Sequence, residues 1–416
     1  MQNTYQEKLV DMPTIVRTHS GQCTLRFDIG GELEAPFSLV LRSDGSIDVS
    51  LNPLSRHQVE RIVKANEKRR LLFCSLKGLV ANPSGEIWIP KLVLTYTRFT
   101  FKPQEASVTF SLICASNVEI KHAHLLPKET VEVHYGVTNF DFGACDRQRA
   151  RDGTVTEDFR AYLNDFEITF RQARNYRDTI SKLSKNHDVA ITCEAIVNTT
   201  FARLGELEEL LEDTATLLSF ATGTYISWVY RDVYSSNALV ESHLYANVTG
   251  PFIDGKWVID VRNLGDCYMR TFLETTFPVY YNLKTELGLN LVIGYLVIAN
   301  QVRYPEAEFL LNSVAAQCLL SHLSTQPATT ENASSFKSGM TELLNHFGVV
   351  HIESELDFIL TRNKIVHTGR FPSGTVPHEA TMKLHNLMDR TILTVLGYRG
   401  KHYLNQANHC EREVLQ

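Results

Sequence analysis

Arg362-Asn363-Lys364-Ile365-Val366-His367 is the stretch of this 416-residue chain whose residue types and spacing are suited to chemistry. Arginine carries a permanent charge on a planar fork of donors that matches a phosphate. Histidine titrates near neutrality and can take up or give a proton. Those two services suffice to cut an RNA backbone through its own 2′-hydroxyl, without any metal. Asn363 is a neutral donor and acceptor beside the arginine, and Lys364 and Arg370 add positive charge to the stretch.

The flanking sequence must position the pair. Upstream, Ile352-Glu-Ser-Glu-Leu356-Asp-Phe-Ile359-Leu360 has apolar positions at 352, 356, 359 and 360 that fit one helix face, so a helix is expected from 352 onward. Downstream, Gly369, Pro372, Gly374 and Pro377 stop it. On an ideal helix an i, i+5 spacing sets two side chains about 140° apart. Arg362 and His367 therefore share a ligand within one chain only if His367 lies in a loosened last turn. A plainer account also exists: such an arginine can reach out to solvent, and such a histidine can simply favour the helix dipole.

The segment R-N-K-I-V-H-T-G resembles the R-x4-H motif of HEPN domains, small helical modules many of which are ribonucleases in bacterial toxin and anti-phage systems. The resemblance implies a dimer with a composite cleft, in which Arg362 holds the scissile phosphate, His367 acts as general base or acid, Asn363 orients the substrate or the arginine, and Lys364 and Arg370 contact RNA. It extends upstream. Leu287–Ala299, followed by Tyr304–Leu311 and Ser313–Leu320, is similar to the paired first helices of a HEPN bundle. Family members often carry an acidic residue near the position of Gln317, which is uncharged. If a carboxylate positions the arginine here, Glu308 or Asp357 would supply it.

The remainder of the chain reads as α+β. From about residue 13 to 198 the pattern is short alternating runs, among them Cys23–Ile29, Phe37–Arg42, Leu92–Phe101, Ser107–Cys114, Val131–Tyr135, Phe166–Phe170 and Val189–Cys193. Turn residues at Ser43-Asp-Gly45 and Pro83-Ser-Gly85 separate them, so an antiparallel sandwich or open barrel is expected, with one helix at 55 to 69. From Phe201 the period becomes helical, with Leu204, Leu207, Leu210, Leu211, Leu217 and Leu218 on one face up to Gly223. Lys256–Val261 looks strand-like, 324 to 335 reads as a loop, and the last helix starts at Pro377, with its buried face on Ala380, Leu384, Leu387, Met388, Ile392 and Val395. The expected division is thus a β-rich sensing domain over 1–200, a helical connection over 201–280 and a HEPN-like helical nuclease domain over 281–416. A β-rich front joined to a helical back ending in R-N-x-x-x-H is similar to ApeA-type bacterial anti-phage proteins.

Composition narrows the alternatives. A hydrophobic share of 44% fills ample cores, and the most apolar stretch, broken by Asn290, Gly294 and Tyr295, falls short of the roughly 20 residues that span a bilayer. The N-terminus lacks a signal-peptide apolar core, so a soluble, cytoplasmic protein is expected. The eight cysteines lie far apart, without zinc spacing, and read as reduced, packed thiols. His122-Ala-His124 would be a metal pair only on a strand, and no carboxylate accompanies it. No metal and no cofactor are therefore expected, and motifs for nucleotide phosphates, dinucleotides, serine hydrolysis and zinc peptidases are missing. A net charge of -6 argues against wholesale binding of nucleic acid, yet Arg362, Lys364, Arg370, Lys383, Arg390, Arg399 and Lys401 face only Glu379 and Asp389 over 362 to 401.

Taken with the resemblance, these features lead to a metal-independent endoribonuclease that cuts tRNA or mRNA in anti-phage defence or toxin-like growth arrest. It would act as a homodimer or higher oligomer, released by a phage-derived trigger protein. The alternative is a noncatalytic module that binds RNA, a nucleotide or a partner protein.

Overall fold

In the computed structural model, residues 15–28, 31–51, 72–81, 84–102, 105–114, 116–122, 129–142, 146–149, 155–173, 175–245, 250–253, 256–259, 268–323, 333–405 and 410–414 are described. The protein is α+β, with an antiparallel β-rich N-terminal half and a helical C-terminal part. It divides into two compact units, Met1–Pro127 with Val229–Val248, and Lys128–Trp228 with Thr249–Gln416. The cuts differ from those expected at 200 and 280. A hairpin at 228 to 244 is built into the first unit, and the strands after 128 belong with the helices.

The first unit holds β1 (Ile15–Phe27), β2 (Glu32–Arg42), β3 (Ile47–Leu51), β4 (Leu72–Ala81), β5 (Ser84–Lys102), β6 (Glu105–Cys114) and β7 (Val118–Lys121). They run in the order β4-β1-β2-β3-β6-β5, and a further β4–β5 pairing closes the ring. Closure leaves those strands without a bare edge. Alternation does the sorting: Leu33, Ala35, Phe37, Leu39 and Leu41 of β2 point inward and are buried. The expected turn at Ser43-Asp-Gly45 forms, with Gly45 at φ +80° donating its N–H to the Arg42 carbonyl at 2.9 Å.

In the second unit, β8 (Thr130–Thr138), β9 (Asp146–Arg149), β10 (Val155–Leu163), β11 (Phe166–Gln172) and β12 (Ile191–Thr200) form a sheet in the order β8-β12-β11-β10-β9. Helix α1 (Tyr176–Asn186), which the period-two pattern did not announce, connects β11 to β12. An aromatic cluster of Phe140, Phe142, Phe159 and Phe170 fills this layer, with ring centroids 4.7 to 6.1 Å apart.

Helices follow: α2 (Leu204–Thr222), α3 (Tyr268–Leu283), α4 (Leu289–Gln301), α5 (Pro305–Leu323), α6 (Ala333–Phe347), α7 (Phe358–Thr368) and α8 (Pro377–Val395). The leucine stripe of α2 is buried as its spacing requires, and Gly223 at φ +66° ends it. In the bundle α5 is central, packing on α4, α6, α7 and α8. Two hairpins lie where the sequence pattern predicts helix. One pairs β13 (Trp228–Ser235) with β14 (Ala238–Leu244), and the other pairs β15 (Lys401–Asn405) with β16 (Cys410–Val414). Of the strand-like piece at 256, Ile259 forms a single antiparallel bridge to His402. The helix expected at 55 to 69 lies outside the described residues, and so does most of the loop expected at 324 to 335. Among the described residues no helix is long and apolar enough to cross a membrane.

Candidate functional site

Helix α7 is shorter at its start than its apolar pattern suggested. Ile352 is extended, at φ -111° and ψ 150°, and a 3₁₀ turn over Glu353–Asp357 leads into Phe358. Only part of the expected stripe is core: Leu356 and Ile359 are buried, whereas Ile352 and Leu360 are 64% and 65% exposed. The reason is local. Glu355 turns back to accept the Ile352 N–H at 3.0 Å and also pairs with Arg390 of α8 at 2.6 Å, which pins the 3₁₀ turn. The C-terminal stop is as expected: the helix runs through Thr368, and Gly369 at φ +70° donates to the Ile365 carbonyl at 2.7 Å.

Arg362 is half-buried between α7 and α5. Its Nη1 donates to Asn363 Oδ1 and its Nη2 to Gln317 Oε1, each at 3.0 Å. Gln317 stands nearly two turns before the end of α5, on a helix fixed by the buried Phe309, Ala315, Ala316 and Leu319. The arginine is therefore oriented by two neutral carbonyl oxygens. Among the described residues it has no carboxylate partner. The acids considered as substitutes are engaged elsewhere, Glu308 with Lys256 at 3.0 Å and Asp357 with Lys337 at 3.6 Å.

His367 is exposed and belongs to regular helix, not to a loosened turn. At five residues from Arg362, its side chain leaves the helix about 140° away. Thus Arg362 and Asn363 are brought together, and His367 is not brought to them within one chain. It shares its stripe with Leu360 and Lys364, at i+7 and i+3 spacing, all three exposed. Arg370, beyond the helix, is exposed too, with its N–H on Thr368 Oγ1 at 3.4 Å.

The local basic excess is thinner than the sequence implied. Arg390 is spent on Glu355, and Asp389 lies buried beside His385, at 3.2 Å. Lys364, Arg370, Lys383 and Arg399 remain at the surface. Of the possible metal pair, His122 is buried with Nδ1 against the Ser84 carbonyl at 3.1 Å, and His124 lies outside the described residues. The pairing of Arg390 with Glu355 left no mark in the sequence, because 35 residues separate them.

No family model, no curated protein and no solved structure matches this chain. The functional argument accordingly rests on α7 and its neighbours.

Proposed function

We propose that the protein is a metal-independent endoribonuclease of HEPN type, working in the cytoplasm as a dimer in which α7 of two chains face one another. One observation carries this: a guanidinium held in place by Gln317 and Asn363 and left without a carboxylate among the described residues, on the helix that presents His367. A positioned, uncompensated cation is what a scissile phosphate requires. Because a straight α7 keeps Arg362 and His367 apart within one chain, apposition of two copies is the arrangement that joins them. The exposed Leu360 on the His367 stripe gives that apposition an apolar contact.

In this mechanism one His367 takes the proton from a 2′-hydroxyl, and the oxygen attacks the adjacent phosphorus. The bond to the 5′-oxygen breaks, and that oxygen receives the proton back from the His367 imidazolium, so that one histidine opposite one arginine suffices. Arg362 stabilises the charge that builds on the phosphoryl oxygens, and Lys364 and Arg370 hold flanking phosphates. The products end in a 2′,3′-cyclic phosphate and a 5′-hydroxyl. A role in anti-phage defence or growth arrest, with release by a phage-derived trigger, follows from the resemblance of the R-N-K-I-V-H segment to that family.

The test is incubation of the full chain with tRNA and mRNA in EDTA, beside Arg362→Ala and His367→Ala. Cleavage to cyclic-phosphate ends by the wild type alone is expected. Cutting that stops on chelation, or that persists in both variants, would sink the mechanism. RNA binding without cleavage in all three would favour the noncatalytic binding module.

A further inference from the structure

A cavity of about 350 Å³ opens where α7 and α8 begin, against α5. Phe309, Phe358 and Val376 give it apolar walls, and Thr361, Glu379 and Lys383 supply polar groups. Two of its other carboxylates are already committed, Glu355 to Arg390 and Asp357 to Lys337. Glu379 and Lys383 have no partner among the described residues, although they stand one turn apart on α8. The cavity thus offers a free carboxylate, a free ammonium, a hydroxyl and an apolar floor, in a volume at the small end of ligand sites.

A carboxylate beside an apolar floor repels phosphate and accepts from neutral N–H groups. Single-stranded RNA is read in this way: an unstacked base lies on apolar side chains, and its Watson–Crick edge is hydrogen-bonded. Among the four bases only guanine places two donors side by side on that edge, matching both oxygens of one carboxylate. Phe309, on the cavity wall, precedes Gln317 by eight residues of α5, about 12 Å along the axis. Two nucleotides of extended RNA cover such a distance.

We infer that this cavity is a guanine-binding subsite, with Glu379 accepting from the base edge and Lys383 meeting the adjoining phosphate, so that cleavage falls near an unpaired guanosine. The inference rests on the nuclease reading for its place in catalysis, but its binding does not.

The experiment titrates the full chain with the four nucleoside 3′-monophosphates in EDTA, by calorimetry. The guanosine nucleotide should bind at least about fivefold tighter than the other three, the discrimination one bidentate base contact gives. Glu379→Gln should bring the four within about twofold of one another, again by loss of that contact, and Arg362→Ala should keep the guanosine preference. Equal binding of all four, no saturation with any, or a preference that survives in Glu379→Gln overturns the subsite. Selective binding by a protein that cuts nothing would remove the nuclease proposal and leave the subsite standing. A nuclease without base preference would do the reverse.

Discussion

Gln317 Oε1 accepts a hydrogen bond from Arg362 Nη2 at 3.0 Å, linking the end of α5 to the middle of α7. A neutral amide therefore does the orienting that a carboxylate would do, without spending the arginine's charge. An ion pair would hold the guanidinium more firmly and compete with phosphate for it.

Gln317→Ala should lower cleavage roughly tenfold, the effect of removing about 1 to 1.5 kcal/mol of positioning hydrogen bond. The loss should appear in kcat more than in KM, since substrate still finds the cation. Gln317→Glu should stay nearer the wild-type kcat but bind RNA less tightly at low salt. Single-turnover kinetics at two salt concentrations separate these effects. Unchanged rates in Gln317→Ala would mean that the contact positions nothing.

Mixing the two inactive variants distinguishes a site within one chain from a site between two. A mixed dimer of Arg362→Ala and His367→Ala chains holds an intact Arg362 in one protomer and an intact His367 in the other. Co-refolded or co-expressed variants should recover a measurable share of wild-type cleavage, and each alone should show none. His367→Ala, on an exposed face, should leave stability within about 0.5 kcal/mol of wild type, whereas Arg362→Ala also removes the hydrogen bonds to Asn363 and Gln317 and should cost about 1 kcal/mol. Absence of recovery, with mixed dimers confirmed by mass, would place the site in a single chain.

How much of this was legible depends on the range of the interactions. The start of α8 at Pro377, the end of α7 at Gly369 and the leucine face of α2 are local signals, and the sequence states them directly. The hairpin of β13 and β14 is hidden in the sequence pattern, although Ser236 and Asn237 mark its turn at φ +51° and +66°. Its alternation is blurred because nearly every residue of β13 is buried, polar ones included. The 3₁₀ turn before α7 was illegible for another reason. Ile352, Leu356 and Ile359 keep helical spacing, and only the long-range Glu355–Arg390 pair decides against helix at the front. In the site, Arg362 and His367 can be picked out by type and their separation follows from spacing, whereas the regular last turn that preserves it and the contact of Gln317 with Arg362 come only with the fold.

Thiol chemistry gives an independent check on the cores. Burial pushes the Cys23 and Cys74 thiols up to about 12 and Cys114 to about 11, and it raises Cys193 well above the usual thiol range. A thiolate is the reactive form, so these four should resist iodoacetamide in the native protein at pH 8 and react once it is unfolded in urea. Cys318, beside Gln317 and only half-buried, is raised less and should be the most reactive of the five. Peptide mapping after alkylation reads the order. Rapid native labelling of Cys23 or Cys74 would contradict the closed ring that buries them.

Acid should weaken the first unit through His19. Its ring is 6% exposed, and neither nitrogen has a hydrogen-bond partner among the described residues. Burial lowers its pKa first, the Arg17 guanidinium two residues away lowers it further, and His122 adds to this, while Asp232 opposes them. Asp232 gives limited relief, because it is already bound to Arg17 and Ser242. A histidine whose folded-state pKa is depressed binds fewer protons folded than unfolded. Its contribution is therefore complete above the unfolded value near 6.5 and is lost as pH falls below it. Urea midpoints at pH 7.5 and pH 5 should show the loss, and His19→Gln, though less stable at neutral pH, should flatten the slope between them. If the slope is the same in wild type and variant, the protons that destabilise the unit do not go to His19.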